Sequence, residues 1–169
     1  TLMTSVPVDR LAITYPVAAE DYFGKSKLSA FLSWFLINLL LIPRKRDDKN
    51  PKRDPIFILD SYLKNGKSLI FFPEGSRGKA GKIQVFKKGL GHLMKENMNI
   101  PIIPVYLEGI GRVLPKGNKI MLPGITKIYF GNPIFLENES VEEIVEKAEN
   151  AVHDLKNRCD NNNSSNLRE

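Results

Sequence analysis

Three continuous apolar runs of strand length constrain the fold of this chain most. They are KSLIFFPEG, whose strand should end at Pro73, IIPVYLEG over Ile102–Gly109, and TKIYFGNPI over Thr126–Ile134. Strands without polar alternation are buried on both faces, which is typical of parallel sheets covered by helices. Helix-like segments separate these runs. We therefore predict an α/β fold with a mixed, largely parallel sheet flanked by helices.

Start and stop signals mark the helices. Asn65-Gly66 is a stop signal for a helix over Pro55–Leu63. The segment Val85–Glu96 has helical spacing weakened by two glycines. Farther on, Ser140 and Glu143 form the capping-box pattern in front of an amphipathic helix over Val141–Arg158.

A fourth strand is expected near the beginning of the chain. RLAITYPV, Arg10–Val17, has the composition of a short strand. Because proline cannot donate to a ladder, Pro16 indicates the edge of the sheet or the end of the strand.

The longest uncharged segment is LSAFLSWFLINLLLIP, Leu28–Pro43, with 16 residues. As a helix it would reach about 24 Å, short of the ~30 Å hydrocarbon core of a bilayer. One interpretation is a buried helix that runs into a short strand. Another is a helix in the membrane interface, anchored by Trp34 and Phe35. A full transmembrane span is the weakest of the three.

The formal charge of +6 favours anionic partners. RKRDDKNPKR, Arg44–Arg53, has six basic residues against two aspartates directly after the apolar segment. Such a cluster suits an anionic membrane surface, although a solvated loop explains it equally well. Aromatic residues are not interleaved with these cations, so the pattern does not indicate nucleic-acid binding.

The single cysteine, Cys159, excludes an intrachain disulfide and a cysteine-based zinc site. From this residue the chain reads CDNNNSSNLRE, which we expect to be a disordered polar tail over 159–169. Residues 1–158 have a suitable length for one domain.

The turn FFPEGSRG combines residues that suit phosphate binding. A buried strand delivers its last residues to the edge of a sheet, where open α/β folds bind ligands. Gly75 allows close approach of the backbone, and Arg77 offers a fork of donors that matches a phosphate. Ser76 and free loop amides can add to this site. Glu74 cannot bind phosphate, but it can orient Arg77 or accept a hydrogen bond from a substrate hydroxyl.

Several blocks resemble the glycerolipid (lysophospholipid) acyltransferase family. FPEGSR, Phe72–Arg77, is similar to its F-P-E-G-[ST]-R block, and NIPIIPVYLEG, Asn99–Gly109, to its block around I-P-x-x-P-V. FKKG, Phe86–Gly89, lies between them as in relatives, and IPRKR, Ile42–Arg46, resembles the arginine-bearing block upstream. GNPI extends the likeness weakly. The resemblance implies a glycerol-phosphate acyltransferase-like fold that lacks its N-terminal part.

The resemblance implies transfer of a fatty acyl group from acyl-CoA or acyl carrier protein to a lysophospholipid hydroxyl, with lysophosphatidic acid as the favoured acceptor and no cofactor. Glu74, Gly75 and Arg77 would form the acceptor phosphate site. An arginine upstream would complete it; Arg46 fits the spacing better, and Arg44 remains open. The wall of the acyl channel would be built by Pro101, Ile103 and Pro104, although a buried strand explains this block equally well.

The catalytic histidine of this family belongs to an H-x-x-x-x-D motif, which the chain lacks. His92 is followed by Glu96 rather than by an aspartate at that spacing, and His153 has Asp154 as its neighbour. Both histidines are expected to be surface or packing residues. TLMTSVP, from Thr1, resembles the segment directly after the aspartate in relatives, so we expect the dyad just before Thr1 and an inactive isolated chain.

These features together predict a peripheral or interfacial protein on the cytoplasmic face of a membrane. The alternative is a non-catalytic module that binds phospholipid or a membrane surface through the same phosphate loop.

Overall fold

The computed structural model describes residues 7–20, 38–44, 50–76, 78, 81–109 and 125–165, except for the side chains of 162–165. Its helices and strands are α1 (Val8–Leu11), β1 (Thr14–Ala19), β2 (Leu40–Ile42), a 3-10 turn (Pro51–Arg53), α2 (Pro55–Lys64), β3 (Ser68–Ile70), α3 (Gly89–Lys95), β4 (Val105–Glu108), β5 (Lys127–Phe130) and α4 (Val141–Ser165). The chain divides into two compact units, Thr1–Phe72 and Pro73–Glu169. Helices combined with parallel and antiparallel strands confirm the predicted mixed α/β class.

The first unit contains a three-stranded parallel sheet in the order β2-β1-β3. The first half of β1, Thr14–Pro16, pairs with Ser68–Ile70, whereas its second half, Val17–Ala19, pairs with Leu40–Ile42. The two ladders are therefore staggered along β1 and share no residue of it.

The position of Pro16 differs from the prediction. β1 is the central strand, so the expected edge position is wrong. The physical reason is the stagger: pairing with β2 begins at Val17, directly after the proline. The missing N–H of Pro16 thus falls at the start of that ladder instead of within it.

Helix α2 confirms the predicted helix over Pro55–Leu63 and its stop signal. The carboxylate of Asp54 caps the start by accepting a hydrogen bond from the Ile56 N–H at 2.8 Å. At the other end Gly66 has a φ of 70°, the left-handed conformation that favours glycine. The helix packs on the sheet through an edge-to-face contact of Tyr62 with Tyr15, with ring centroids 5.0 Å apart.

The apolar segment Leu28–Pro43 is described only from residue 38 onward. Its end forms β2, as the helix-into-strand interpretation expects, and the predicted helical part, residues 28–37, lies outside the described residues. Across the described ranges, no helix combines the length and the apolar character needed to cross a membrane. In the basic segment that follows, Arg53 forms an ion pair with Glu20 at 3.1 Å.

The second unit packs α3 and α4 beside a two-stranded antiparallel sheet of β4 and β5. Helix α3 begins at Gly89, later than the predicted start at Val85. Close approach of α3 to α4 requires Gly91, because a Cβ there would lie 2.3 Å from the carbonyl oxygen of Val141. Leu93 on α3 and Ile144 on α4 are fully buried, with 2% and 0% of their surface exposed.

Helix α4 begins with the predicted capping box. The Glu143 carboxylate accepts from the Ser140 N–H at 2.7 Å, and the Ser140 hydroxyl accepts from the Glu143 N–H at 3.3 Å. The helix then continues to Ser165, where the sequence predicts a disordered tail from Cys159. The physical reason is burial, because the Cys159 side chain is 1% exposed and belongs to the core. Residues 166–169 of the predicted tail lie outside the described residues.

A polar contact accompanies this burial. The Tyr129 hydroxyl on β5 donates to the Glu108 carboxylate on β4 at 3.1 Å. A hydrogen bond with Cys159 raises the pKa of Tyr129, and burial raises the pKa of the Cys159 thiol. The end of α4 is therefore tied to the β4–β5 sheet by both packing and hydrogen bonding.

Candidate functional site

The chain leaves β3 through Phe71 and Phe72 and enters the loop that carries the predicted phosphate site. We call residues 74–84 the PEG loop; its described residues are 74–76, 78 and 81–84. Gly75 has a φ of 69°, and a Cβ there would meet nothing closer than Lys87 Cγ at 3.6 Å. Glycine is therefore needed for its left-handed backbone, since the space around it would admit a side chain.

Two hydrogen bonds close the base of the PEG loop. One carboxylate oxygen of Glu74, Oε2, accepts from the Gln84 N–H at 2.8 Å. Beside it the carbonyl of Pro73 accepts from the Lys87 N–H at 2.8 Å. Glu74 was expected either to orient Arg77 or to accept a hydrogen bond from a substrate hydroxyl, and both roles stay predictions. What the contact adds is a structural role: Glu74 fixes the two ends of the loop to each other.

A third hydrogen bond crosses the interior of the loop. The side-chain amide Nε2 of Gln84 donates to the carbonyl oxygen of Ser76 at 2.9 Å. Gly78 makes room for this amide, because a Cβ there would lie 2.8 Å from Gln84 Nε2. Sequence reasoning missed Gln84, which belongs to none of the family blocks and carries no motif signal.

The FKKG block attaches the loop to the long helix. The Phe86 side chain is 7% exposed, and its N–H donates to the Glu149 carboxylate at 3.2 Å. Lys88 forms an ion pair with Glu142 at 2.6 Å, and both groups are largely exposed, so its energetic contribution is small. The block therefore anchors one end of the PEG loop to α4 through this backbone hydrogen bond, at a residue that is itself buried.

The structure brings together three of the predicted phosphate-site residues, Glu74, Gly75 and Ser76, within the second unit. Arg44 is exposed, follows β2 in the first unit and is engaged in an interaction of its own. The two other predicted arginines, Arg46 and Arg77, lie outside the described residues. The structure does describe the residues before and after Arg77, Ser76 and Gly78.

The residues predicted for the acyl-channel wall lie in two environments. Pro104 is buried and packs against Gly131, whose N–H donates to its carbonyl at 2.9 Å. Pro101 and Ile103 are exposed, Ile103 by 54%. Ile102 and Ile134 form an antiparallel bridge. Because side chains alternate along extended chain, Pro101 and Ile103 lie on the same face as Pro133 and Phe135. We call this exposed apolar surface, Pro101, Ile103, Pro133 and Phe135, the proline patch.

The histidines occupy the positions expected of surface residues. His92 is exposed on α3. His153 is partly exposed on α4, where its Nε2 lies 4.0 Å from the Glu149 carboxylate one turn earlier. Neither histidine is the first residue of an H-x-x-x-x-D arrangement.

A family model and several known proteins match this chain, and all of them are acyltransferases. The model of the family described as Acyltransferase matches residues 8–108. The chain is 30% identical over 121 residues to the chloroplastic 1-acyl-sn-glycerol-3-phosphate acyltransferase of Brassica napus, covering 69% of this chain and 35% of the relative. It is 31% identical over 104 residues to the chloroplastic 1-acyl-sn-glycerol-3-phosphate acyltransferase of Arabidopsis thaliana, covering 61% of this chain and 29% of the relative.

Among solved structures, the 1-acyl-sn-glycerophosphate (LPA) acyltransferase PlsC from Thermotoga maritima is similar with a TM-score of 0.60 at 21% identity. The match covers 92% of this chain and 69% of that protein. The likeness confirms the fold expected from the family resemblance. The chain spans about a third of the length of the curated relatives it matches, 35% and 29% for the two plant enzymes.

Proposed function

The chain belongs to the Acyltransferase family, and from that premise we propose that the protein transfers a fatty acyl group from acyl-CoA or acyl carrier protein to the free hydroxyl of a lysophospholipid, with lysophosphatidic acid as its acceptor. In this reaction the hydroxyl oxygen attacks the thioester carbonyl. A new oxyester bond forms and the carbon–sulfur bond breaks. The proton of the hydroxyl passes through a general base and ends on the departing thiol.

The observation that carries the proposal is the PEG loop, which lies within the residues matched by the family model. Its turn is fixed from both sides by Glu74 and Gln84. In the proposed site Arg77 binds the acceptor phosphate through its fork of donors, and Ser76 and loop amides add to it.

Replacing Arg77 tests the phosphate site. In the full-length protein, Arg77→Ala should raise the KM for lysophosphatidic acid by about ten- to a hundredfold, because a hydrogen bond to a charged group contributes about 1.5–3 kcal/mol. The KM for the acyl donor should change less. Arg158→Ala removes an equally charged, exposed residue on α4 and serves as the control. An unchanged acceptor KM in Arg77→Ala would refute the assignment.

We further propose that one upstream arginine shares the acceptor phosphate, either Arg46 or Arg44. Arg46→Ala and Arg44→Ala, made separately, distinguish the two, because only the phosphate-binding variant should lose selectivity for lysophosphatidic acid over monoacylglycerol. Loss of selectivity in neither variant would remove this part of the proposal.

The proline patch is proposed to contact the acyl chain through Pro101 and Ile103, with Pro104 supporting it from below. This proposal is supported by the exposure of the patch, because a fatty acyl chain would cover this apolar surface and remove it from water. Ile103→Ser should weaken use of long-chain donors more than use of short-chain donors. Equal effects on both would contradict a contact with the chain.

The general base is proposed to be a histidine outside this chain, because neither His92 nor His153 matches the required motif. A positioned base typically contributes 10²–10⁴-fold to the rate. The 169-residue chain should therefore turn over lysophosphatidic acid about 10²–10⁴-fold more slowly than a version extended upstream. Comparable turnover would refute this. Vesicle binding without turnover by the full-length protein would instead favour the non-catalytic membrane-binding module.

For location we propose peripheral or interfacial association with the cytoplasmic face of an anionic membrane. The support is the apolar segment Leu28–Pro43 followed by the basic segment Arg44–Arg53. The full-length protein should sediment with vesicles containing phosphatidic acid and be released as the salt concentration rises. Sedimentation independent of both lipid charge and salt would contradict an electrostatic contribution.

A further inference from the structure

We propose that Asn65 is a site of spontaneous deamidation, the conversion of its side-chain amide into a carboxyl group by the backbone of the following residue, at a rate set by opening of the end of α2. Asn65 and Gly66 are both exposed and lie in the turn between α2 and β3. The inference goes beyond the proposed function and does not depend on it, because it concerns the chemistry of this turn alone.

The reaction needs only water as a co-reactant. The backbone nitrogen of Gly66 attacks Cγ of Asn65, so that a nitrogen–carbon bond forms and the bond from Cγ to Nδ2 breaks. Nδ2 leaves as ammonia, together with the proton of the Gly66 nitrogen. Water then opens the cyclic imide at one of its carbonyl carbons and yields aspartate or isoaspartate. Glycine favours the attack, because it has no side chain to hinder the approach of its nitrogen.

The folded turn restrains both reacting groups. The attacking group, the Gly66 N–H, donates to the Leu63 carbonyl at 2.9 Å, as in the glycine cap that commonly ends helices. The leaving group, Nδ2 of Asn65, donates to the Ser61 carbonyl at 2.7 Å. Both hydrogen bonds must break before the nitrogen can reach Cγ. Deamidation therefore follows the population of the open turn.

Opening of this turn is a local event. Lys64, Asn65 and Gly66 are all exposed, and Leu63 is the last buried residue of α2. The turn can therefore open without exposing the core, and such helix ends have low opening free energies. Loss of one neutral hydrogen bond corresponds to about a two- to tenfold change in such a population, so two of them should slow deamidation about 5- to 100-fold relative to the denatured chain.

Deamidation changes the charge and the length of the turn. A carboxylate at position 65 cannot donate to the Ser61 carbonyl, and its charge lies at the C-terminal end of α2, where the helix dipole disfavours an anion. Isoaspartate also adds a methylene to the backbone before Ser68, whose N–H donates to the Ile13 carbonyl at 2.8 Å. The product should therefore be less stable than the original protein.

The first test follows the full-length protein in mildly alkaline buffer by peptide mass spectrometry. The peptide with Asn65 should gain the mass that separates a carboxyl group from an amide, and urea should accelerate this about 5- to 100-fold. Asn132 is the internal control, because Pro133 after it has no N–H to lose.

Three outcomes of this test overturn the proposal. One is an unchanged Asn65 peptide in the native protein after about a hundred half-lives of the reaction in urea. Another is an equal rate with and without urea, which would show that the two hydrogen bonds do not limit the reaction. Equal conversion of Asn132 would show that the mass change does not come from attack by the next backbone nitrogen.

The second test measures the consequence for stability. Asn65→Asp reproduces the aspartate product and should melt about 2–4 °C below the wild type, because it loses a hydrogen bond and adds an anion at the end of the helix. Asn157→Asp makes the same exchange at an exposed position of α4 and should match the wild type. An equal melting temperature for Asn65→Asp and Asn157→Asp would overturn the predicted loss of stability.

Discussion

The two glycines of α3, Gly89 and Gly91, have different tasks although they lie in the same turn of the helix. A Cβ at Gly91 would meet the Val141 carbonyl oxygen at 2.3 Å and Val141 Cγ1 at 2.8 Å, whereas a Cβ at Gly89 would meet nothing within 4 Å. The carbonyl belongs to the backbone of α4 and cannot rotate away. The contact distance between the helices therefore depends on a single missing methyl group.

Gly91→Ala should destabilise the protein by about 1–3 kcal/mol, because the added methyl group overpacks the contact between the helices. Gly89→Ala is the matched control and should be neutral or stabilising by up to about 1 kcal/mol, since alanine is the better helix former. Urea unfolding followed by circular dichroism measures both. Equal stability of the two variants would contradict the packing argument.

Glu139 makes one contribution to stability that depends on pH. A hydrogen bond from Lys147, supported by the Glu137 N–H at 2.7 Å, lowers the pKa of Glu139 from 4.5 to about 2. A lowered pKa in the folded state means that the contribution is fully present above about pH 4.5 and is lost as the pH falls toward 2. The carboxylate ties the segment before α4 to the helix.

In Glu139→Gln the pH dependence of folding stability that comes from this carboxylate should disappear. Between pH 4.5 and 2 the wild type should therefore lose stability more steeply than the variant, and the melting temperature at a series of pH values measures the difference. Glu146→Gln, an exposed position on α4, should follow the wild-type curve. Parallel curves for wild type and Glu139→Gln would show that the ion pair contributes nothing.

At the scale of elements, the sequence predicts those segments whose signals are local. The capping box at Ser140, the stop at Gly66 and the apolar runs of β3, β4 and β5 each depend on neighbouring residues, and each of these elements is present. Two details of the strands were wrong: β3 ends at Ile70 rather than at Pro73, and β4 and β5 form an antiparallel, partly exposed pair rather than buried parallel strands. Features that depend on distant partners were not predictable. The central place of β1 depends on pairing with Ser68–Ile70, and the continuation of α4 depends on burial of Cys159.

The same distinction holds for the candidate site. FPEGSR is recognisable because its residue types suit phosphate binding within six positions. The partner of Glu74 is Gln84, ten residues away across a glycine- and lysine-rich loop, and no periodicity connects them. A side chain that acts by holding a backbone carbonyl carries no chemical signature in the sequence.

The start of α4 is an element-scale test of the capping box. Ser140→Ala should cost about 0.5–1 kcal/mol, at the lower end for an N-cap because the hydroxyl accepts at 3.3 Å. Ser140→Asp keeps an acceptor at the same position and should retain the stability. Urea unfolding compares the two variants, and equal losses in both would contradict a capping role.

At the scale of the whole molecule, the single thiol reports on how the C-terminal half of the chain is packed. Cys159 is 1% exposed, and burial raises its pKa, which reduces the reactive thiolate. A thiol reagent should therefore label the native protein on the order of a hundredfold more slowly than the denatured protein. Asn157→Cys in a Cys159→Ala background places the thiol at an exposed position of α4 and should react at the denatured rate. Rapid labelling of the native wild type would contradict the burial.

The staggered ladders of β1 allow its two halves to pair at different times during synthesis. The partner of its later half is complete once Ile42 has left the ribosome, whereas the partner of its earlier half ends at Ile70, after α2. Because the nearer pairing closes a shorter loop, it can form while the second partner is still being translated. Pro16 lies at the junction of the two ladders, so the nascent chain can build the sheet in two separate steps, from one side of β1 and then from the other.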